Sequence, residues 1–392
     1  MIRAAQIDAG QGSFTDLAGG VGRNVTTLIS QHMNLPVEDI VVIQVDDDYT
    51  PSLNPDDGSS LPPDHLHPPA PPHILRHLVA IDHEHHQVVL VLRGTFSIQE
   101  VVVDIVSFAR DNFSGVGQAH EGMATMAEEV WKAAGATILE TLQAHPTYEL
   151  VVIGHSLGAG TACLLTIMLQ EIPDLLPPGT SFRCIAFASP PVFLPSSSPP
   201  AMTTATSSSP PRPPHERARS YPILHVIHEH DVVPFLSVYS VRYLLASLEA
   251  VRTAAQNVSW SQKVAISVGS IPPPQALLDC LPEESVVTPK EGAPKLQVLA
   301  QQTLWLRQRR DDDDEDDDKE GRDEIRYRLY QYPSSDLIPR EFEIPWEIQV
   351  HPNMLADHLP SRYEYALEHL KVGPAVSRDE DVVLHASNEQ RY

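Results

Sequence analysis

The 392 residues carry a formal charge of −25 at pH 7, with 42% apolar and 20% charged side chains. Such a chain can bury a sizeable core, and its acidity argues against nucleic acid as a partner, because phosphate binding needs clustered Lys and Arg. Proline, at 36 residues, is about 9% of the chain against a usual ~5%, so unusual loops accompany that core.

At the amino terminus, Met1 to Thr15 contains no continuous apolar stretch of the secretory kind, which disfavours export by the ordinary route. Cys163, Cys184 and Cys280 are too scattered for a disulfide framework or a CxxC metal site and fit a reducing compartment. Three segments are of low complexity and poorly suited to packing: Pro51 to Pro72, Pro195 to Pro214, and the run DDDDEDDDKE from Asp311 to Glu320. The last holds nine acids and one lysine, so it contributes −8 and leaves −17 elsewhere.

Between these segments, Ile74 to Ile81 and Gln87 to Leu92 read as two strands joined by a polar turn, a hairpin by pattern. From Ile98, the spacing of Val101, Val102, Ile105, Val106 and Ala109 predicts a helix over 98–109. A second helix is predicted over Gly122 to His145, then a strand over Glu149 to Ile153. Leu157 to Gln170 reads as a helix, Arg183 to Ala188 and Ile223 to Ile227 as buried strands, and Leu236 to Val251 as a helix. Gln302 to Gln308 and Ile325 to Gln331 flank the acidic run and look like paired strands. Phe342 to Val350 is strand-like, and Arg362 to Leu370 has a helical pattern. This alternation predicts an α/β fold with a largely parallel sheet covered by helices. Leu150 to Gln170 lacks Asp, Glu, Lys and Arg over a length that could span a bilayer. Its glycine cluster breaks it into strand, turn and helix, so no transmembrane span is expected.

Gly154-His155-Ser156-Leu157-Gly158 matches G-x-S-x-G between the strand and a small-residue helix, the setting of a nucleophile elbow. The bare pattern arises in roughly one of ten such chains, so the strand-turn-helix context decides. There the Ser156 hydroxyl points out at the sheet's edge from a sharp turn, and the helix's first N–H groups, beginning with Leu157, face the developing negative charge. The bland alternative is a glycine-rich turn with an idle serine. A serine nucleophile needs a base oriented by an acid, and the chain order in this fold class is Ser, then Asp or Glu, then His. That order excludes His155 as the base. Among the later residues, Asp231 follows the buried strand 223–227 with Glu229 as its nearest competitor, and His351, His358 and His369 are candidate bases.

GHSLGAG at 154–160, Arg93-Gly94-Thr95, HEGM at 120–123, HDVVP at 230–234 and MLADHLPSRY at 354–363 together resemble the class 3 lipase family, within it most of all the sn-1-specific diacylglycerol lipases. The resemblance spans about residues 74–370 and does not extend to the transmembrane helices that animal diacylglycerol lipases carry. It implies an α/β-hydrolase fold, with Asp231 as the acid and His358 as the base beside Ser156. By the same resemblance Thr95 joins the N–H of Leu157 in the oxyanion hole. The predicted helix 98–109 falls where secreted family members place a lid, although a core-facing helix fits its pattern equally.

The expected organisation is an N-terminal extension over 1–73, a lipase domain over 74–375 with insertions at about 195–218 and 309–323, and a tail over 376–392. The expected activity is hydrolysis of an acyl ester of a glycerolipid, diacylglycerol first, at a membrane or lipid-droplet surface, with no cofactor. No metal site is expected, since His83, His85, His86, His228 and His230 lack metal-ligand spacing. The expected location is cytoplasmic, with peripheral attachment as the route to lipid; protein partners are not identified. Two other readings stay open: an esterase with the same triad acting on triacylglycerol, monoacylglycerol or phospholipid, and an inactive member that binds lipid or protein.

Overall fold

In a computed structural model, the residues described are 23–44, 75–94, 109–196, 221–267, 296–308, 327–332 and 350–370, with 270–272, 274–275, 279–280 and 348 as isolated positions. A first helix, α1 (Arg23–Met33), leads into β1 (Ile40–Gln44). The hairpin β2 (His77–Asp82) and β3 (Gln87–Leu92) follows, then β4 (Ala109–Phe113), β5 (Gly117–His120) and the long α2 (Glu121–Ala144). Next come β6 (Glu149–His155), α3 (Leu157–Glu171), β7 (Phe182–Phe187), β8 (Phe193–Pro195) and β9 (Ile223–His228). The remainder is α4 (Val238–Ala254), α5 (Trp260–Ser267), β10 (Gln302–Gln308), β11 (Tyr327–Tyr332) and α6 (Pro360–Glu368).

Eight strands form one sheet in the order β1-β2-β3-β6-β7-β9-β10-β11, and β4, β5 and β8 form a small second sheet. The central strands β3, β6, β7, β9 and β10 are parallel. Antiparallel pairs close both edges. This is an α/β-hydrolase architecture, a mostly parallel sheet flanked by helices, as expected. Along β6, Leu150 and Val152 enter the main core beneath α2 and α3, whereas Val151 and Ile153 pack on the opposite face with Val89. Burial on both faces is why this strand is a continuous apolar run without alternation. Helix α3 is buried from Leu157 to Leu169, which explains its lack of charge without a membrane. Among the described residues no helix is long and apolar enough to cross a bilayer.

Several expectations shift. β1 pairs with β2, so the folded body begins well before residue 74, inside the segment expected to be an extension. Ala109 opens strand β4, and the rest of the predicted helix 98–109 lies outside the described residues. Its last position belongs to a strand because residues 109–120 form a hairpin whose β5 pairs in turn with β8. Residues 348 and 350, at the end of the strand-like 342–350, have no regular structure; 342–347 and 349 lie outside the described residues. Most of both insertions and the tail lie outside them as well. The two strands flanking the acidic run do pair, in antiparallel register from Thr303 opposite Tyr332 to Gln308 opposite Tyr327.

Candidate active site

Ser156 stands between β6 and α3 with φ 58 and ψ −126, a backbone conformation that a non-glycine residue adopts only when its surroundings hold it there. Its N–H donates to the Phe187 carbonyl of β7 at 2.9 Å, and its own carbonyl accepts from Ala159 and Gly160. The flanking glycines are needed for close approach. A Cβ on Gly154 would strike the backbone of Gly158, and one on Gly158 would lie 2.5 Å from the Leu92 carbonyl. Gly94 belongs to the same contact, since a Cβ there would come within 2.5 Å of the His155 carbonyl and 3.1 Å of Ser156 Cβ.

Asp231 lies in the turn after β9, and His358 in the turn before α6. Both turns lie at the end of the sheet where the parallel strands finish, the position at which open α/β sheets bind ligands. His358 Nε2 is 2.9 Å from Ser156 Oγ, and His358 Nδ1 is 3.0 Å from each carboxylate oxygen of Asp231. Facing an ionised carboxylate, Nδ1 carries the ring proton, which leaves the Nε2 lone pair to accept from the serine hydroxyl. The structure thus brings Ser156, Asp231 and His358 together, from positions as much as 202 residues apart. All three are buried, with exposures of 0%, 0% and 5%.

The carboxylate is held from several directions. Besides the His358 ring, Val233 N–H donates to Oδ1 at 2.9 Å and Tyr363 Oη–H donates to Oδ2 at 2.6 Å. Burial pushes the Asp231 carboxyl up, but the electrostatic attraction of the His358 ring and the hydrogen bonds from His358, Tyr363 and Val233 outweigh it and hold the carboxyl below its usual range. Burial and the neighbouring Asp231 charge raise the Tyr363 hydroxyl well above the usual phenol, so it stays a donor. Its oxygen also accepts from His228 N–H at 3.1 Å. His155, excluded as a base by chain order, serves the site in another way, because its Nε2–H donates to the His358 carbonyl at 3.0 Å. Burial, then the nearby His358 ring, lowers the His155 imidazole to about 3, so it stays neutral.

The rival residues sit elsewhere. The Glu229 carboxylate accepts from Gln308 N–H at the β10 end, and His369 closes α6 with its ring stacked on Tyr365. His351 stacks on His230 with centroids 3.6 Å apart. Leu157 is the first residue of α3, where N–H groups lack intrahelical acceptors. Thr95, the other expected donor, lies outside the described residues. His230, His351 and Asp357 bring one ligand-type atom each within 4.8 Å of one another, a grouping that sequence spacing did not reveal. The two imidazoles lie in planes only 10° apart, so their lone pairs run side by side and do not converge on a single ion.

Tyr363, His155 and Gly94 are the site residues that motif reading passed over. Each lies inside one of the five motifs, but only the fold shows what it touches.

A nucleophile elbow in an α/β-hydrolase sheet, with a buried serine, histidine and aspartate hydrogen-bonded in series, is the arrangement on which serine hydrolases are built. Residues 89–240 match the family model for lipase (class 3). The diacylglycerol lipase-beta of Mus musculus is 35% identical over 99 residues, which cover 24% of this chain and 15% of that protein. The lipase of Rhizopus niveus is 28% identical over 173 residues, 43% of this chain and 40% of that one. Among solved structures, the Rhizomucor miehei triacylglyceride lipase aligns over 41% of this chain and 56% of its own at 24% identity, with a TM-score of 0.33. Over this segment the chain is similar to the class 3 lipases. It spans well under half the length of the curated relatives it matches.

Proposed function

We propose that the protein is a serine lipase that hydrolyses an acyl ester of a glycerolipid, with diacylglycerol as the substrate, releasing a fatty acid and a monoacylglycerol. The single observation that carries this reading is the hydrogen-bonded series from Ser156 through His358 to Asp231. The kinship to diacylglycerol lipases supports the substrate.

In this reading Ser156 Oγ attacks the ester carbonyl while His358 Nε2 takes its proton. Asp231 fixes the ring's orientation and stabilises the imidazolium that forms. The oxyanion receives the Leu157 N–H, with Thr95 as the second donor; losing one such donor typically costs ~100-fold or more in turnover. Collapse of the intermediate breaks the bond to the glycerol oxygen, which leaves with the proton from His358. Water, deprotonated by the same ring, then cleaves the acyl-serine and frees the acid. The catalytic unit takes in the chain from β1 to α6, so its boundary lies near residue 40, and the substrate meets it at the surface of a membrane or droplet from the cytoplasmic side.

The test is labelling by a fluorophosphonate probe in the wild type, Ser156→Ala and His358→Ala, followed by product analysis on diacylglycerol. Labelling confined to the wild type, with monoacylglycerol and fatty acid as products, is expected. An unlabelled wild type would end the enzyme reading. Labelling without diacylglycerol turnover would keep the serine chemistry and overturn the substrate.

A further inference from the structure

Helix α4 leaves the body of the protein directly from the site. Asp231 is followed by the buried Val233–Phe235 turn, and Ser237 caps the helix in a reciprocal box with Ser240. Beyond Ser240, however, α4 buries none of its residues fully, although it continues to Ala254. Three of the four most exposed large apolar side chains among the described residues fall within sixteen positions here: Leu245 at 60%, Leu248 at 55% and Trp260, the first residue of α5, at 79%. Single exposed hydrophobes need no explanation, but such a concentration on one projecting pair of helices does.

Spacing groups these residues. Val241 still packs against the core; beyond it Leu245, Leu248 and Arg252 recur at three- and four-residue steps along one face of α4, and Trp260 and Lys263 are neighbours at three residues on α5. Charge sets the arm apart from the rest of the chain. From 238 to 267 the charged residues are Arg242, Glu249, Arg252 and Lys263, a net of +2 in a chain whose total is −25. Glu249 is paired with Arg252 at 2.6 Å, so the net positive charge rests on Arg242 and Lys263.

We infer that the α4–α5 arm docks on an anionic phospholipid bilayer, with Leu245, Leu248 and Trp260 entering the headgroup boundary and Arg242 and Lys263 meeting the lipid phosphates. A protein of such negative charge is repelled by an anionic leaflet as a whole, so a local cationic and apolar patch sets which side can approach. Indole rings favour that boundary, and long basic side chains lay their stems along apolar surface while keeping their charges in water. Because the arm is rooted a few residues after Asp231, docking would bring the site's opening to the lipid. The choice of lipid over protein as occupant rests on the lipase reading.

The experiment uses the full chain carrying Ser156→Ala, so that lipid is not consumed, and sedimentation with vesicles of phosphatidylcholine alone or mixed with phosphatidylserine. Binding that strengthens with phosphatidylserine and weakens with salt is expected. The exposed substitutions Leu245→Ser, Leu248→Ser and Trp260→Ala together should weaken it on the order of tenfold, as should Arg242→Glu with Lys263→Glu. In the otherwise wild-type chain, fluorophosphonate labelling and cleavage of a short soluble ester should be unchanged by either set. Equal vesicle binding by wild type and variants would overturn the inference. So would a wild type that runs as a dimer which the apolar variants split into monomers, since a second copy would then be the occupant. Failure of labelling with arm-dependent binding intact would count against the lipase reading alone.

Discussion

Replacing Tyr363 by Phe deletes one hydroxyl and leaves the ring. That hydroxyl donates to Asp231 at 2.6 Å and accepts from His228 N–H at 3.1 Å, and both partners are buried. A hydrogen bond to a charged group contributes about 1.5–3 kcal/mol, and a buried N–H left without an acceptor adds a cost of ~1 kcal/mol or more. Tyr363→Phe should therefore destabilise the protein by about 3 kcal/mol at pH 7. The Asp231 carboxyl lies below its usual range, so it stabilises the fold above the unfolded carboxylate value of about 3.9 and loses that effect as the pH falls through the folded one. The stability gap between variant and wild type should thus hold from neutral pH down to about 5 and narrow only in the carboxylate's own range. His358 keeps both its partners, so turnover should fall by roughly tenfold and not vanish, the equivalent of about 1.4 kcal/mol in the barrier. Urea unfolding at several pH values, with ester hydrolysis alongside, measures all of this. A gap under about 0.5 kcal/mol at pH 7 would refute the idea that Tyr363 holds the acid.

Other perturbations probe neighbouring parts of the site. His155→Phe removes the bond to the His358 carbonyl but keeps a ring of similar shape, so kcat should drop up to about tenfold, since one neutral hydrogen bond contributes ~1 kcal/mol; an unchanged kcat would show that His358 is placed without it. Burial lowers the His225 imidazole to about 4, so the native state resists its protonation and stability should fall as pH drops from about 6.5 to 4, by roughly 3 kcal/mol for this ring. His225→Gln, which can still accept from Ser189 N–H, should flatten that part of the curve in urea titrations. Gly158→Ala forces a methyl against the Leu92 carbonyl and the Arg93 backbone, and should cost about 1–3 kcal/mol in thermal or urea unfolding together with most of the activity. A fully active Gly158→Ala protein would mean that β3 can retreat from the elbow.

The strand, elbow and helix from 149 to 171 were legible because each of their signals is local. The strand is apolar on both faces, the glycines mark the turn, and the helix lacks charge over its whole buried length. Where pairing is non-local the sequence fell silent. β1 is five residues, IVVIQ, set off from β2 by the proline-rich stretch, and only its antiparallel register with 77–80 gives it a place. β4 reads ARDNF, with Phe113 its single buried residue, so no alternation marks it as a strand. The choice between His351 and His358 was of the same kind. Both lie near the start of α6, and what separates them is which ring reaches Ser156, a distance that depends on residues about two hundred positions earlier. The family resemblance pointed to His358, whereas local pattern alone left both open.

How such distant parts stay in register is visible in the bonds between the two turns. Val232 N–H donates to the Met354 carbonyl at 3.2 Å, His230 N–H to the Asp357 carboxylate at 3.3 Å, and the His228 ring contacts the Asp357 carbonyl at 3.1 Å. With His228 N–H to Tyr363 and Tyr363 to Asp231, five hydrogen bonds besides that of His358 to Asp231 join the turn of Asp231 to the turn of His358 and the helix after it. The geometry of His358 against Asp231 is therefore fixed by direct contact between the two turns, whatever the length of chain that joins them. Because closure entropy grows only slowly with loop length, a long, highly charged connection such as 309–326 can lie between acid and base at small cost. That accounts for an acidic run placed between two residues whose relative position must vary least.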